Sequence, residues 1–229
     1  LVGSEMCIRD RYSTLLGSDN VSALTIACFV GRDLVSRRGS GTPIAAFVSE
    51  MNNLARSLRM TKTRFTAPHG LDAGNAVSTS CALDMALLGM YSMQNPAFCY
   101  IVSQASRRIG VQSQTKGTTM YDISNNNKMM STPGVDGIKA GSSRAAGQCL
   151  LLSATRNAIA RRSPQTGTEV IYPQRMIIAV LGTGERYSLA RQMLNTGWRV
   201  WENWQASGMD MKDPKEFVQL PVKSGTEKR

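Results

Sequence analysis

Val135-Asp136-Gly137-Ile138-Lys139-Ala140-Gly141-Ser142-Ser143-Arg144-Ala145-Ala146-Gly147-Gln148-Cys149-Leu150-Leu151-Leu152-Ser153-Ala154 reads as two strands joined by a short turn. Val135 and the run Ile138-Lys139-Ala140 are extended and end at Gly141. Ala145, Ala146 and Gly147 open a second run that closes in Leu150-Leu151-Leu152, apolar enough to cross a buried sheet. A lysine at the end of an otherwise apolar strand is costly to bury and seldom accidental. The small residues after it (Ala140, Gly141 and Ser142) leave the strand edge open, so another extended chain can lie along it.

Toward the N-terminus, Leu15-Leu16-Gly17-Ser18-Asp19-Asn20 precedes Val21, Leu24, Ala27 and Cys28 at helical spacing. Ser18 and Asn20 therefore sit in a loop that enters a helix, and capping is the simplest reading of the triplet taken alone. Residues 32–41 are polar and Gly-rich and read as a loop. Thr42 then caps a second helix with Pro43 at its first position. Its stripe of Ile44, Phe47, Val48, Met51, Leu54, Ala55 and Leu58 is core. Residues 60–72 form an irregular turn that holds the sole histidine, His69. A histidine is a candidate general base by type, but its place between Pro68 and Gly70 favours a structural role in a tight turn.

Ser78-Thr79-Ser80 reads as the cap of a helix that turns Leu83, Ala86, Leu87, Met90 and Met93 inward. Asn95-Pro96 breaks it and opens a short helix to about Val102. Residues 103–134 are polar connections, including Asn125-Asn126-Asn127, with one or two short strands. Past the hairpin, residues 158–173 read as a basic loop longer than a hairpin needs, and residues 176–181 as a buried strand. Residues 185–205 read as a helix with Tyr187, Ala190, Leu194, Trp198 and Trp201 on one face and Gly197 as its weak point.

Ile138-Lys139-Ala140-Gly141 resembles the Lys-Thr-Gly strand of serine penicillin-recognising enzymes. The longer run from Gly137 through Ser153 resembles the D-alanyl-D-alanine carboxypeptidases of peptidase family S11, whose motifs are Ser-x-x-Lys, Ser-x-Asn and Lys-Thr-Gly in that order. Ser18-Asp19-Asn20 matches the second motif. Met51-Asn52-Asn53-Leu54-Ala55 followed by Pro68-His69-Gly70-Leu71 is similar to another family segment, as are Ser78, Thr79 and Asp84 followed by Asn95, Pro96 and Phe98. The resemblance spans roughly residues 13 to 205. It implies an α/β (α+β) penicillin-binding/β-lactamase-like transpeptidase fold, incomplete at the N-terminus. An antiparallel sheet flanked by helices (about 106–206) would join a helical lobe (about 18–105), with the cleft between Ser18 and Asn20 on one side and Lys139 to Gly141 on the other.

The same resemblance implies a serine-type carboxypeptidase that removes the terminal D-alanine of peptidoglycan stem peptides through an acyl-enzyme, with β-lactams as inhibitors. Carried over by position, Ser18 relays protons and Asn20 holds the substrate's backbone amide. Lys139 keeps the site electropositive, and the Ser142 N–H is one oxyanion-hole donor; Ala140 and Gly141 lie along the substrate. Ala140 stands where the family has Thr or Ser, and loss of that hydroxyl should weaken carboxylate binding by about 1–3 kcal/mol. The lone Ser-x-x-Lys match, Ser113-Gln114-Thr115-Lys116, follows Ser-x-Asn instead of preceding it and lacks an apolar helical stripe. It is rejected as the nucleophile, so nucleophile and base are expected to lie outside this chain, which is then inactive as it stands.

Residues 1–11 have no periodicity and resemble translated sequencing-adapter read-through. They are excluded as a non-native leader. The catalytic domain is then residues 12–206 of a truncated protein, and residues 207–229 an exposed tail or linker. The family implies an extracytoplasmic setting in the cell envelope, with membrane anchoring of the full-length protein.

The chain's 229 residues are 42% hydrophobic, enough for one sizeable core, and no run of about 18 apolar residues spans a membrane. Five cysteines without Cys-x-x-Cys spacing read as small buried hydrophobes. One histidine and scattered thiols argue against a metal, and no cofactor is implied. The net charge of +11 gives a solvated basic surface or attraction to an anionic envelope polymer or membrane. The arginines are spread out without interleaved aromatics, which disfavours nucleic acid. Two other readings are a β-lactamase, supported by the Ser-Asp-Asn form, and a non-catalytic basic envelope-binding protein, which Ala140 would suit.

Overall fold

The computed structural model describes residues 2–71, 77–113, 117–162 and 167–208. Leu150-Leu151-Leu152 lies in the central strand of a three-stranded antiparallel sheet made of β3 (Val135–Ser143), β4 (Gly147–Arg162) and β5 (Glu169–Thr183) in that order. Strand alternation sends successive leucines to opposite layers. Leu150 and Leu152, 1% and 0% exposed, pack with Val135, Ile178 and Val180 against Ala190, Leu194 and Trp198 of α6 (Arg186–Ala206). Leu151 faces the other way, onto Met93 and Val102 at the ends of α4 (Ala82–Ser92) and α5 (Pro96–Val102). Each fully buried leucine of this sandwich contributes about 1.5–3 kcal/mol of transfer free energy.

The helices ahead of the sheet are α1 (Val2–Leu15), α2 (Asn20–Arg38) and α3 (Pro43–Ser57). Residues 2–11, expected to join nothing, are helical and continuous with the segment that buries Tyr12 and Leu16 against Ile101 and Ile109. The expected loop at 32–41 is instead the last two turns of α2, which stops at a left-handed Gly39 whose N–H reaches the Val35 carbonyl. Half-buried Leu34 and Val35 continue its inner face, and Gly31 lets α2 touch the start of α3. A Cβ on Gly31 would stand 2.0 Å from the Pro43 carbonyl oxygen. Thr42 and Pro43 open α3 as expected, with the Thr42 hydroxyl accepting from the Ala45 N–H.

α3 ends in a Schellman turn. The Arg59 N–H bonds the Arg56 carbonyl and the Met60 N–H bonds the Ala55 carbonyl, while Ala55 and Met60 share a buried cluster. Arg59 occupies the left-handed position at φ 58°, where glycine is the usual residue.

The expected Ser78-Thr79-Ser80 cap is not the cap of α4. Cys81 holds that position without a side-chain bond. The three residues instead bind the turn across from them. Ser78 Oγ accepts from the Thr66 N–H, Thr79 pairs through its backbone with Arg64, and Ser80 meets Thr63. The helix is rotated accordingly: Asp84 and Leu87 face inward, while Leu83 and Met90 are exposed. The reason is polar. The buried Asp84 carboxylate accepts the Lys62 N–H at 2.8 Å and the Thr63 hydroxyl at 2.7 Å, fixing that turn.

Residues 106–206 do not form one sheet. β1 (Ser106–Ser113) and β2 (Gly117–Ser124) pair as a separate hairpin, with Ile109 and Ile123 packed on the Tyr12 cluster. The expected loop at 158–173 is also largely strand. Ile159 pairs with Tyr172 and Arg162 with Glu169 beyond a bulge after Arg156. Ile159 on β4 and Val170-Ile171-Tyr172 on β5 supply the β-branched and aromatic residues that favour strand, and Arg162 on this arm is exposed. The helix predicted over 185–205 forms with its apolar face as read, Ala190, Leu194 and Trp198 being buried. Of the five cysteines, Cys28, Cys81, Cys99 and Cys149 are free thiols. The predicted tail lies beyond residue 208, outside the described residues.

Two substitutions test these joints. Gly31→Ala should force α2 off Pro43 and cost about 2–3 kcal/mol in urea unfolding; an unchanged midpoint would mean the helices do not meet there. Arg59→Gly should raise stability by about 1 kcal/mol, because the left-handed backbone no longer carries a Cβ.

Candidate active site

The turn between α1 and α2 is built by its own polar groups. The Asp19 N–H bonds the Ser13 carbonyl, and the Asp19 carboxylate caps α2 by accepting from the Ser22 N–H at 2.8 Å. Those Ser22 bonds hold the Asp19 carboxyl below its ordinary range. Capping thus falls to the middle residue of Ser18-Asp19-Asn20. It leaves Ser18, at φ 60°, and Asn20, at the first position of α2, on the wall of a cavity of about 540 Å3.

Lys139 comes to the same cavity from the sheet. Its register partner is Leu151, so it lies on the helical side of β3. Its Nζ donates to Ser18 Oγ and to the Ala140 carbonyl. Burial, and then the nearby Arg186 guanidinium, lower its pKa from 10.5 to about 8. Gly141 and Ser142 line the cavity and are exposed. Ala140 also borders it, yet is only 3% exposed because it packs into the core beneath α6.

All six residues singled out in the sequence (Ser18, Asn20, Lys139, Ala140, Gly141 and Ser142) therefore border one cavity. His69 borders it too, with Nδ1 accepting from the Leu71 N–H at 3.1 Å, a bond that shapes the turn. Ser113 ends β1 opposite Gly117 on the separate hairpin, and Lys116 lies outside the described residues.

Two features escaped sequence reasoning. Arg186, at the start of α6, donates to the Gly141 carbonyl at 2.7 Å and lies over the Tyr187 ring; its Nε is buried without a partner among the described residues. The sequence carries no signal for this beyond an arginine at a helix start, which is unfavourable for the helix dipole and so asks for another partner. The second is the run Asn125-Asn126-Asn127, read only as polar connection. Asn125 Nδ2 donates to the Val102 and Gln104 carbonyls, and Asn126 Nδ2 to the Gly17 carbonyl. Asn127, 1% exposed, donates to the Gly137 carbonyl and accepts from the Met129 N–H. The three side chains tie the end of α5, the Ser18 turn and the Lys139 strand together.

A family model described as D-alanyl-D-alanine carboxypeptidase matches residues 2–163. D-alanyl-D-alanine carboxypeptidase DacA of Escherichia coli strain K12 is 29% identical over 189 residues, which cover 80% of this chain and 40% of that protein. The D-alanyl-D-alanine carboxypeptidase of Streptomyces sp. strain K15 is 27% identical over 162 residues, 68% of this chain and 53% of that one. This chain thus spans about two fifths to one half of these relatives' length. In structure, a mutant of the Streptomyces K15 DD-transpeptidase superposes with a TM-score of 0.68 at 23% identity, over 84% of this chain and 68% of that one; this likeness speaks for the fold. Penicillin-binding protein D2 of Listeria monocytogenes, solved with cefotaxime bound, gives a TM-score of 0.58 at 26% identity over 83% of this chain and 66% of that one. With the family model matched across most of its length and the penicillin-binding fold in place, the chain belongs to the D-alanyl-D-alanine carboxypeptidases of peptidase family S11.

Proposed function

We propose that the cavity between Ser18 and Lys139 is part of a serine-type D-Ala-D-Ala carboxypeptidase site, working outside the cytoplasmic membrane on peptidoglycan stem peptides. The observation that carries this is the Lys139 ammonium bonded to Ser18 Oγ across the cavity, beside the open Gly141 and Ser142 edge. In the reaction a serine attacks the carbonyl between two D-alanines, the last D-alanine leaves with a proton, and water hydrolyses the acyl-enzyme. Ser18, linked to Lys139, would pass that proton, and Asn20 would hold the substrate amide. Lys139 and Arg186 together make the site attractive to the terminal carboxylate. The substrate's backbone would pair along Gly141 and Ser142, with the Ser142 N–H facing the developing oxyanion.

The attacking serine and its lysine base are the parts these residues do not place. The single Ser-x-x-Lys match begins on the β1–β2 hairpin, so the 229 residues by themselves are proposed not to acylate. Asp19, the residue on which the β-lactamase alternative rests, caps α2.

Labelling with a fluorescent penicillin checks this. The 229 residues alone should form no covalent adduct, whereas a chain in which a Ser-x-x-Lys helix precedes Ser18 should. Lys139→Ala in that longer chain should slow labelling by about 100-fold or more. Labelling of the short chain, or indifference to Lys139, would defeat the proposal.

The depressed pKa of Lys139 also sets a pH dependence. The unfolded chain holds this proton up to about pH 10.5, while the folded chain releases it near the shifted value of about 8. Between those limits the unfolded state binds more protons, so stability contributed by this site rises with pH, by about 1–3 kcal/mol in all. Urea midpoints of the chain and of Lys139→Met, compared from pH 7 to 10.5 so that other groups cancel, should converge or diverge by that amount. Parallel profiles would show that Lys139 is not buried as a cation.

A further inference from the structure

A second concavity, of about 590 Å3, lies on the opposite side of α3 and shares no lining residue with the cavity around Lys139. Arg56, Arg59 and Arg64 line it, with the hydroxyl residues Ser49, Thr61 and Thr63 between them. Its charge is one-sided: between Glu50 and Asp72 the sequence has four cations (Arg56, Arg59, Lys62 and Arg64) and no acid. Two carboxylates beside it are already committed. Glu50 is held by Arg38 at 2.6 Å and by Asn53, and Asp84 by Lys62 N–H and Thr63. Among the described residues no carboxylate forms an ion pair with the three arginines.

A helix C-terminus attracts cations, which could account for Arg56 and Arg59. It does not account for Arg64, which lies beyond the turn in a backbone pairing with Thr79. Nor does it account for the backbone at Arg59. The last carbonyls of α3 are already satisfied by the N–H groups of the Schellman turn, and the left-handed position would be held at lower cost by glycine. Strain of this kind at a ligand-lining position points to function. Guanidinium groups and hydroxyls that line one groove suit the tetrahedral oxygens of a phosphate, with Arg56 also donating to Asn53 and the Thr63 hydroxyl to Asp84.

The geometry points to a phosphate-binding groove formed by Arg56, Arg59 and Arg64, which holds the chain to a phosphate-bearing polymer or lipid headgroup. The groove converts part of the diffuse charge of +11 into a defined contact, separate from the catalytic cleft. Its failure or success is independent of the carboxypeptidase reading.

The test is binding of the 229-residue chain to inorganic polyphosphate and to phosphatidylcholine vesicles with and without phosphatidylglycerol. Arg56→Gln/Arg64→Gln should weaken binding by about tenfold or more, and Arg59→Gly by about threefold or more while folding at least as stably. Arg191→Gln/Arg199→Gln, which removes the same charge from the exposed surface of α6, should change it by less than about twofold. This pattern with polyphosphate assigns the groove to a free phosphate polymer. The same pattern only with phosphatidylglycerol vesicles assigns it to a lipid headgroup. Equal loss in the α6 pair, or no binding to either probe, overturns the site.

Discussion

The burial of one ammonium group organises this structure. Lys139 sits at the end of a strand whose neighbours are apolar, and a charge taken out of water must be held by dipoles or lost. Here Ser18 Oγ and the Ala140 carbonyl hold it, and the remaining deficit appears as a pKa of about 8. Because Ser18 belongs to the turn before α2, the lysine can be accommodated only when helices and sheet are in register. The feature that would be a liability in a simple core is therefore what defines the cleft.

That register is fixed by groups with no catalytic part. Asn125, Asn126 and Asn127 bond backbone carbonyls on three separate elements, and Asn127 does so fully buried. Each bond contributes about 1 kcal/mol net, but leaving one of these carbonyls unpaired would cost more. Asn52 acts in the same manner on the far wall. It exchanges bonds with both the N–H and the carbonyl of Phe65, which lines the cleft. The Met-Asn-x-x-Ala similarity noted in the sequence thus has a mechanical content: the asparagine anchors the Pro-His-Gly turn to α3. Arg186 shows the complementary economy. One side chain braces the Gly141 carbonyl, raises the potential at Lys139 and leaves Nε buried and unmatched among the described residues.

Elements whose signal is local were legible from the residues alone. The Lys139 strand and its leucine-rich partner, the Thr42-Pro43 helix start, the Asn95-Pro96 break and the apolar face of the last helix all follow from periodicity and capping chemistry, and they stand as read. The resemblance to family S11, carried by Ser18, Asn20 and Lys139 in motif order, implied one cleft, and all three residues border one cavity. What the sequence misplaced depended on partners distant in the chain. The end of α2 runs on because Gly31 packs on Pro43. α4 turns Leu83 outward because Asp84 is needed by the turn at Lys62 and Thr63. Residues 158–162 and 169–173 are strand because two moderately β-prone stretches lie opposite one another. Folding alone brings three asparagines into a clamp, Arg186 to Gly141, and Arg56, Arg59 and Arg64 to a groove whose lining, among the described residues, holds no carboxylate. Local propensity is written in neighbouring residues, whereas the satisfaction of a buried polar group or an unpaired charge is a property of whatever the folded chain brings beside it.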